Sequence, residues 1–522
     1  MTFGKAILIA FSLTAIVPAA EQPEPKPKLV VAIVIDQFRY DYLTRFRNDY
    51  HGGLDFLLKH GADFTSAYYA QVPTVTAVGH SIFMSGAMPA VSGIVGNSWF
   101  DRDENKIVTS VCDWNYTTVG GTQETQGAKC TDADPASPNR LLVTTLGDQL
   151  RNANDNAKVV GISIKARGAI LPSGHRALGA FWFDDKSGNF VTSSFYMDAL
   201  PAWAASFNQE KLPEKFVDQE WPGFPARKFR ASAAGDPYSR LPASPWGNEL
   251  IEQFAEQAVK GEQLGQRGVT DLLTVSFSSN DYVGHAFGPD SPEVRDMALR
   301  VDDQIGKLFK LLDETVGMKN VTVVLTADHG VAPLPATDEK RKIPGGYLLA
   351  DVEDAAQSAL SRKFGKGEWF IPGAGEATLY LKNETVAKME ISVDEINQTV
   401  SDTLLSVPQL HVARVYSRKQ LLNGVTGDFI ATAVANGFNP KRSADIFLIF
   451  EPNYLPGTSG TNHFSPYGYD RHVPVLFYGP GIKAGRFNET IAPNDIAPTL
   501  ANILDVEPPS GSSGHVLTQI LK

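Results

Sequence analysis

The sequence predicts an α/β fold built on a central, mostly parallel sheet with helices on both faces. Three apolar runs carry that expectation. Leu29–Ile35, Leu272–Phe277 and Val321–Leu325 are near-continuous in Val, Ile and Leu, the pattern of strands buried on both faces. Each run leads into metal-type donors: Asp36 after the first, Asp281 and His285 after the second, the adjacent Asp328 and His329 after the third. Ligands collect at the carboxyl ends of strands in such sheets. The runs therefore predict one site for a divalent cation, with zinc the first choice for mixed carboxylate and imidazole donors.

Along the chain, residues 1–19 read as a secretory signal peptide. Lys5 sits in a short head, Ala6 to Val17 is apolar, and Val17-Pro18-Ala19 offers a small-residue cleavage site. The apolar run is too short to span a bilayer, and no cysteine follows for a lipid. The expectation is a periplasmic or secreted protein without a membrane anchor. Residues 20–28, rich in Pro and Lys, form an extended leader, and residues 29–522 form a single α/β domain. At 522 residues and 43% hydrophobic, that domain can bury a large core.

Further strand candidates are Lys158–Ser163, Asp445–Phe450 and Pro474–Tyr478. The stretch from Ser291 to Val316 reads as a helix, with Pro292 in its first turn and one stripe of Val294, Met297, Val301, Ile305, Leu308 and Leu312. Strands alternating with such helices give an α/β core. Asp302 and Asp303 lie off the stripe and need no role. Stretches near 101–156, 182–246 and 336–440 break the alternation and are read as insertions, since ligand-bearing strands flank each of them. The only cysteines, Cys112 and Cys130, stand in a polar, Gly/Thr/Gln-rich stretch. In an exported chain they are expected to pair outside the core, closing a loop worth roughly 3 kcal/mol in the chain-entropy account.

The net charge of −11 argues against a nucleic-acid partner, which would call for a basic face. No sequence feature selects an oligomeric state. The run Asp101-Arg-Asp-Glu-Asn105 reads as a solvated loop rather than a calcium site. Asn115, Asn383 and Asn488 begin Asn-x-Thr triplets that matter only in a glycosylating cell.

From Gln71 to Gly86 the chain places hydroxyls just before a predicted helix. A threonine there would meet free backbone N–H groups and the positive end of the helix dipole, both suited to a phosphoryl group. Ser and Thr are also ordinary N-caps, so this signal counts only beside the metal-type donors. Seven short motifs stand in order: Val34-Ile-Asp36-Gln, Thr74-Val-Thr76-Ala-Val-Gly-His80, Gly93-Ile-Val-Gly-Asn97-Ser-Trp99, Ser163-Ile-Lys165-Ala-Arg167, Asp281-Tyr-Val-Gly-His285, Thr326-Ala-Asp328-His329-Gly330 and Gly460-Thr-Asn-His463-Phe-Ser-Pro. In that order the chain resembles the alkaline phosphatase superfamily, in particular bacterial threonine-nucleophile alkaline phosphatases of the type I phosphodiesterase/nucleotide pyrophosphatase group.

The resemblance implies an alkaline-phosphatase-like sandwich with two zinc ions. One would be held by Asp281, His285 and His463, the other by Asp36, Asp328 and His329 with the Thr76 oxygen. Thr76, rather than Thr74, would be the nucleophile that forms a phosphothreonine, although Ala77-Val78 departs from the family's commoner Gly-Pro. Asn97, Lys165 and Arg167 would hold phosphate oxygens. His80 reads as a packed structural histidine. His472 is the rival of His463, expected to hydrogen-bond near the site instead.

Charge helps to select the substrate. Three carboxylates and an alkoxide balance two divalent cations, so Lys165 and Arg167 leave a surplus that suits dianionic phosphate monoesters of small molecules. A phosphodiesterase or nucleotide pyrophosphatase on the same scaffold is the alternative. A non-catalytic exported metal- or phosphate-binding protein is a third reading. A sulfatase is disfavoured because its specialised nucleophile motif is absent.

Overall fold

Seven apolar residues in a row, Leu29–Ile35 (β1), are all buried, and their neighbours explain why none can be polar. In the computed structural model, which describes residues 26–123, 126, 134–231 and 236–522, β1 lies at the centre of a ten-stranded sheet. Leu29, Val31, Ile33 and Ile35 enter one apolar cluster, and Val30, Ala32 and Val34 another. Side chains alternate across a strand, so a strand covered on both faces must be apolar throughout.

In chain order the other strands are Ala62–Ala67 (β2), Thr118–Val119 (β3), Val159–Ser163 (β4), Gly179–Asp184 (β5), Asn189–Ser193 (β6), Asp271–Phe277 (β7), Val321–Thr326 (β8), Val475–Tyr478 (β9) and Gly485–Ile491 (β10). Across the sheet they run β10-β2-β9-β8-β1-β7-β4-β5-β6-β3. The contiguous set β8, β1, β7 and β4 is parallel, and β9 and β6 are reversed. The mostly parallel, helix-covered sheet is the predicted fold class. Four neighbouring strand ends thus open on one side, each followed by a predicted site residue.

The helix Pro292–Thr315 buries the predicted stripe of Val294, Met297, Val301, Ile305, Leu308 and Leu312. Asp302 corrects the reading that it needs no role. It is buried, and its carboxylate accepts from the backbone N–H groups of His51, Gly52 and Leu54 at 2.7 Å and Asp55 at 3.2 Å. It therefore caps the Gly53–His60 helix from a distant element, satisfying donors that every helix start leaves open.

Asp445–Phe450 does contain a strand, Ile446–Phe450, but not one of the central sheet. It pairs antiparallel with Thr378–Leu379 and Val412–Ser417 in a separate three-stranded sheet. The stretch 336–440 supplies those two partners. Within the stretch 182–246, residues up to Ser193 complete β5 and form β6. Cys112 is buried beside Trp99, Val108 and Val111, so its surroundings are apolar rather than polar. Cys130 and the signal segment 1–19 lie outside the described residues. Among those residues, no helix is long and apolar enough to cross a membrane.

Candidate metal centre and active site

Three strand ends and one distant loop deliver the predicted donors as two groups. Asp281, His285 and His463 form one, and Asp36, Asp328 and His329 the other, the ligand atoms of each group lying within 4.8 Å of one another. Asp281 and His285 share a face because both stand on the Ser279–Phe287 helix, four residues apart. His463 comes from a loop after the small sheet and reaches within 3.6 Å of Asp281 Oδ1.

Backbone carbonyls orient all three imidazoles. His285 Nδ1 meets the oxygen of Thr461 at 2.7 Å, His463 Nδ1 that of Thr74 at 2.8 Å, and His329 Nδ1 that of Gly330 at 2.8 Å. A carbonyl only accepts, so each Nδ1 carries the proton and each Nε2 lone pair is turned inward. His285 Nε2 and His463 Nε2 then face each other at 3.3 Å. Two lone pairs at that distance need a cation between them or a proton on one. In the other group, Asp36 Oδ1 and Asp328 Oδ2 are buried without a hydrogen-bond partner. Burial and the nearby Asp36 carboxylate push the Asp328 carboxyl well above its usual range. Burial, reinforced by His463, holds His329 well below its ordinary value. Orphaned carboxylate oxygens and a neutral imidazole fit a divalent cation.

Burial works against a charged His285, but Asp281 at 3.2 Å outweighs it and raises the imidazole from 6.5 to about 9. In protein stripped of metal, that ion pair stabilises the fold fully below pH 6.5, and the contribution is lost as pH rises through about 9. A cation must displace this proton. Metal affinity, measured by zinc titration against a competing chelator, is therefore expected to tighten from pH 6.5 to about 9 and then level off. A flat profile over that range would contradict the role of His285.

Thr76 opens the fully buried helix Thr76–Ser85. Its Oγ1 lies 3.5 Å from His329 Nε2 and 3.4 Å from Lys165 Nζ. The helix lies so close to the third strand end that a Cβ on Gly79 would meet the Asp328 carbonyl oxygen at 2.2 Å. Asn97 Oδ1 accepts from Ala77 N–H at 2.9 Å. One of the helix-start donors that the sequence offered to phosphate is thus already used, and the Asn97 amide nitrogen faces the Glu376 carboxylate. His80 is packed as expected. Burial lowers it to about 4, and it bonds the Thr76 carbonyl at 2.9 Å and Ser276 Oγ at 2.8 Å. His472 is not among the donors: it stacks between Tyr40 and Tyr68 and bonds the Thr65 carbonyl.

Lys165 is not an exposed loop charge. It is 5% exposed, and its Nζ lies 2.6 Å from both Asp36 Oδ2 and Asp281 Oδ2, bridging the two ligand groups. Burial opposes its charge, but the two carboxylates prevail and raise its pKa. Arg167 follows in the first turn of the Ala166–Ser173 helix.

Two residues escaped the sequence reading. Gln37 gives its backbone N–H to Asp328 Oδ1 at 3.0 Å and its side-chain amide to Asp281 Oδ1 at 2.7 Å. The other is Glu376, from the stretch 336–440. Burial raises its carboxyl, opposed by His463, Arg167 and Asn97. It brings to the predicted phosphate corner a carboxyl that the charge count lacked. Gln37 stood beside a quoted ligand, whereas nothing around Glu376 in the sequence marks it.

The model of the family described as type I phosphodiesterase / nucleotide pyrophosphatase matches residues 30–470. The alkaline phosphatase PhoV of Synechococcus elongatus is 38% identical over 530 residues, spanning 96% of this chain and 94% of its own. The alkaline phosphatase PafA of Elizabethkingia meningoseptica is 36% identical over 528 residues, with 95% of each chain covered. A crystal structure of wild-type PafA superimposes with a TM-score of 0.87 at 35% identity, covering 95% of this chain and 99% of that one. A PafA variant substituted at one threonine, one asparagine, one lysine and one arginine superimposes with a TM-score of 0.86. The chain belongs to the type I phosphodiesterase/nucleotide pyrophosphatase family.

Proposed function

We propose that this protein is a zinc-dependent alkaline phosphatase that hydrolyses small-molecule phosphate monoesters through a phosphothreonine on Thr76. The observation that carries the reading is the position of Thr76 Oγ1, at a helix start and within 3.5 Å of both a metal-group histidine and the bridging lysine. PhoV and PafA are named as alkaline phosphatases. The substituted PafA variant lends support to the residue roles. Its threonine and asparagine stand 21 positions apart and its lysine and arginine two, the same spacings as Thr76 to Asn97 and Lys165 to Arg167.

Asp281, His285 and His463 would hold one ion, and Asp36, Asp328 and His329 the other. When bound, the ions supply the positive charge that favours ionised Thr76 and a departing oxygen anion. The chain's own part is placement. The helix start orients Thr76, Asn97 turns its amide toward the reacting group, and Arg167 offers a planar fork to two phosphoryl oxygens. Lys165 adds a point charge beside the nucleophile. Attack by the Thr76 oxygen forms the Oγ–P bond as the alcohol leaves, and water then cleaves that bond to release phosphate. Residues 1–19 support an exported, periplasmic or secreted enzyme, in which Cys112 and Cys130 form a disulfide.

The test is specificity. A monoester carries one more negative charge than a diester, so Arg167→Ala and Lys165→Ala/Arg167→Ala should lower kcat/KM for a monoester by about tenfold to hundredfold per contact. Diester hydrolysis should fall much less. Since Lys165 also touches two predicted ligands, metal content is measured on the same samples. An unchanged monoester-to-diester ratio would favour the diesterase reading.

A further inference from the structure

Gln37 directly follows β1 and Asp36, yet its backbone leaves the extended conformation for the left-handed region, at φ 56. That conformation is uncommon for a residue with a side chain. Here it aims both donors of one residue at the two ligand groups. The backbone N–H reaches Asp328 Oδ1 at 3.0 Å, which leaves Asp328 Oδ2 beside His329 Nε2 at 3.5 Å and His80 Nδ1 at 3.2 Å. The side-chain amide reaches Asp281 Oδ1 at 2.7 Å, the same oxygen that His285 Nε2 approaches at 3.2 Å. A carboxylate only accepts, so the amide nitrogen must face Asp281, and Gln37 Oε1 is buried without a partner.

That oxygen lies against Gly284, between Asp281 and His285 on their helix. A Cβ at Gly284 would come within 1.7 Å of Gln37 Oε1. Glycine inside a helix costs about 1 kcal/mol relative to alanine, and the Gln37 amide explains its presence there.

We propose that Gln37 is a positioning residue that ties the two ligand groups together, its side chain setting the metal affinity of the Asp281, His285 and His463 group. The inference rests on the metal-dependent reading above. Partners that orient ligands in this way typically govern 10- to 100-fold in metal affinity.

The experiment is a zinc titration against a competing chelator, with bound metal counted by elemental analysis, on the parent and two variants. Gln37→Gly keeps the left-handed turn and the backbone N–H but deletes the amide. Gly284→Ala leaves Gln37 in the chain and displaces only the end of its flexible side chain. Both should weaken one of the two ions by about 10- to 100-fold and leave the other at the parental value. On a His285→Ala background, Gln37→Gly should have no effect on the remaining ion. Gly284→Ala in the Gln37→Gly protein should add nothing, as expected of two changes acting through one contact. Melting of the chelated proteins separates this role from a merely structural one, since Gly284→Ala made in the Gln37→Gly protein, with no side chain left to displace, should be at least as stable as Gln37→Gly alone. Parental affinity at both sites in both variants would overturn the proposal, and so would equal losses at both sites. A parent that binds no zinc would overturn the metal reading itself, and the role of Gln37 with it.

Discussion

Thr76→Ala is expected to lower phosphate monoester turnover by at least about a thousandfold, on the order of 4 kcal/mol of lost transition-state stabilisation. It should leave bound metal near the parental level, because the three protein donors of each group remain. Thr76→Ser should keep a substantial part of the activity. The hydroxyl persists, but without the β-methyl its χ1 is less restricted and the oxygen is less firmly placed. Acid-quenched enzyme should carry phosphate on the peptide that contains Thr76. The neighbouring hydroxyls are already committed, Thr74 to the Ser465 carbonyl and Ser81 to the Val78 carbonyl. Label found reproducibly on either of them would reassign the nucleophile.

Removing metal with a chelator should abolish hydrolysis, and zinc should restore it, since every oriented Nε2 and the orphaned carboxylate oxygens converge on two cation-sized groups. His463→Ala should remove an ion and nearly all turnover. It also deletes a ring stacked on His329 at 3.5 Å between centroids, so both groups feel the change. His472→Ala should cost stability through its lost stacking with Tyr40 and Tyr68 and leave kcat almost untouched. The measurement is kcat with metal stoichiometry for both variants. Full activity in rigorously metal-free protein, or a greater loss in His472→Ala than in His463→Ala, would refute the assignment.

What the sequence by itself determined is the central sheet and the places where its strands deliver chemistry. A strand covered on both faces must be apolar at every position, so β1, β7 and β8 announce themselves locally, and the donors just beyond their carboxyl ends follow. The Pro292–Thr315 helix was legible for the same reason, its stripe repeating within a few residues. Tertiary structure alone decided which polar atoms meet. Ile446–Phe450 is as apolar as β8, yet it pairs in another sheet, because an apolar run encodes burial and not its partner. Lys165 bridges Asp36 and Asp281 across strands far apart in the chain. Asp302 caps a helix about 250 residues earlier, and Glu376 reaches Asn97 and Arg167 from a stretch without recognisable pattern. Polar contacts of this kind depend on where several distant backbones come to rest, and no local periodicity records them. Gln37 joins the two kinds of information: its position followed from the strand before it, but its left-handed turn toward both ligand groups exists only once the Asp281 helix and the Asp328 loop have packed beside it.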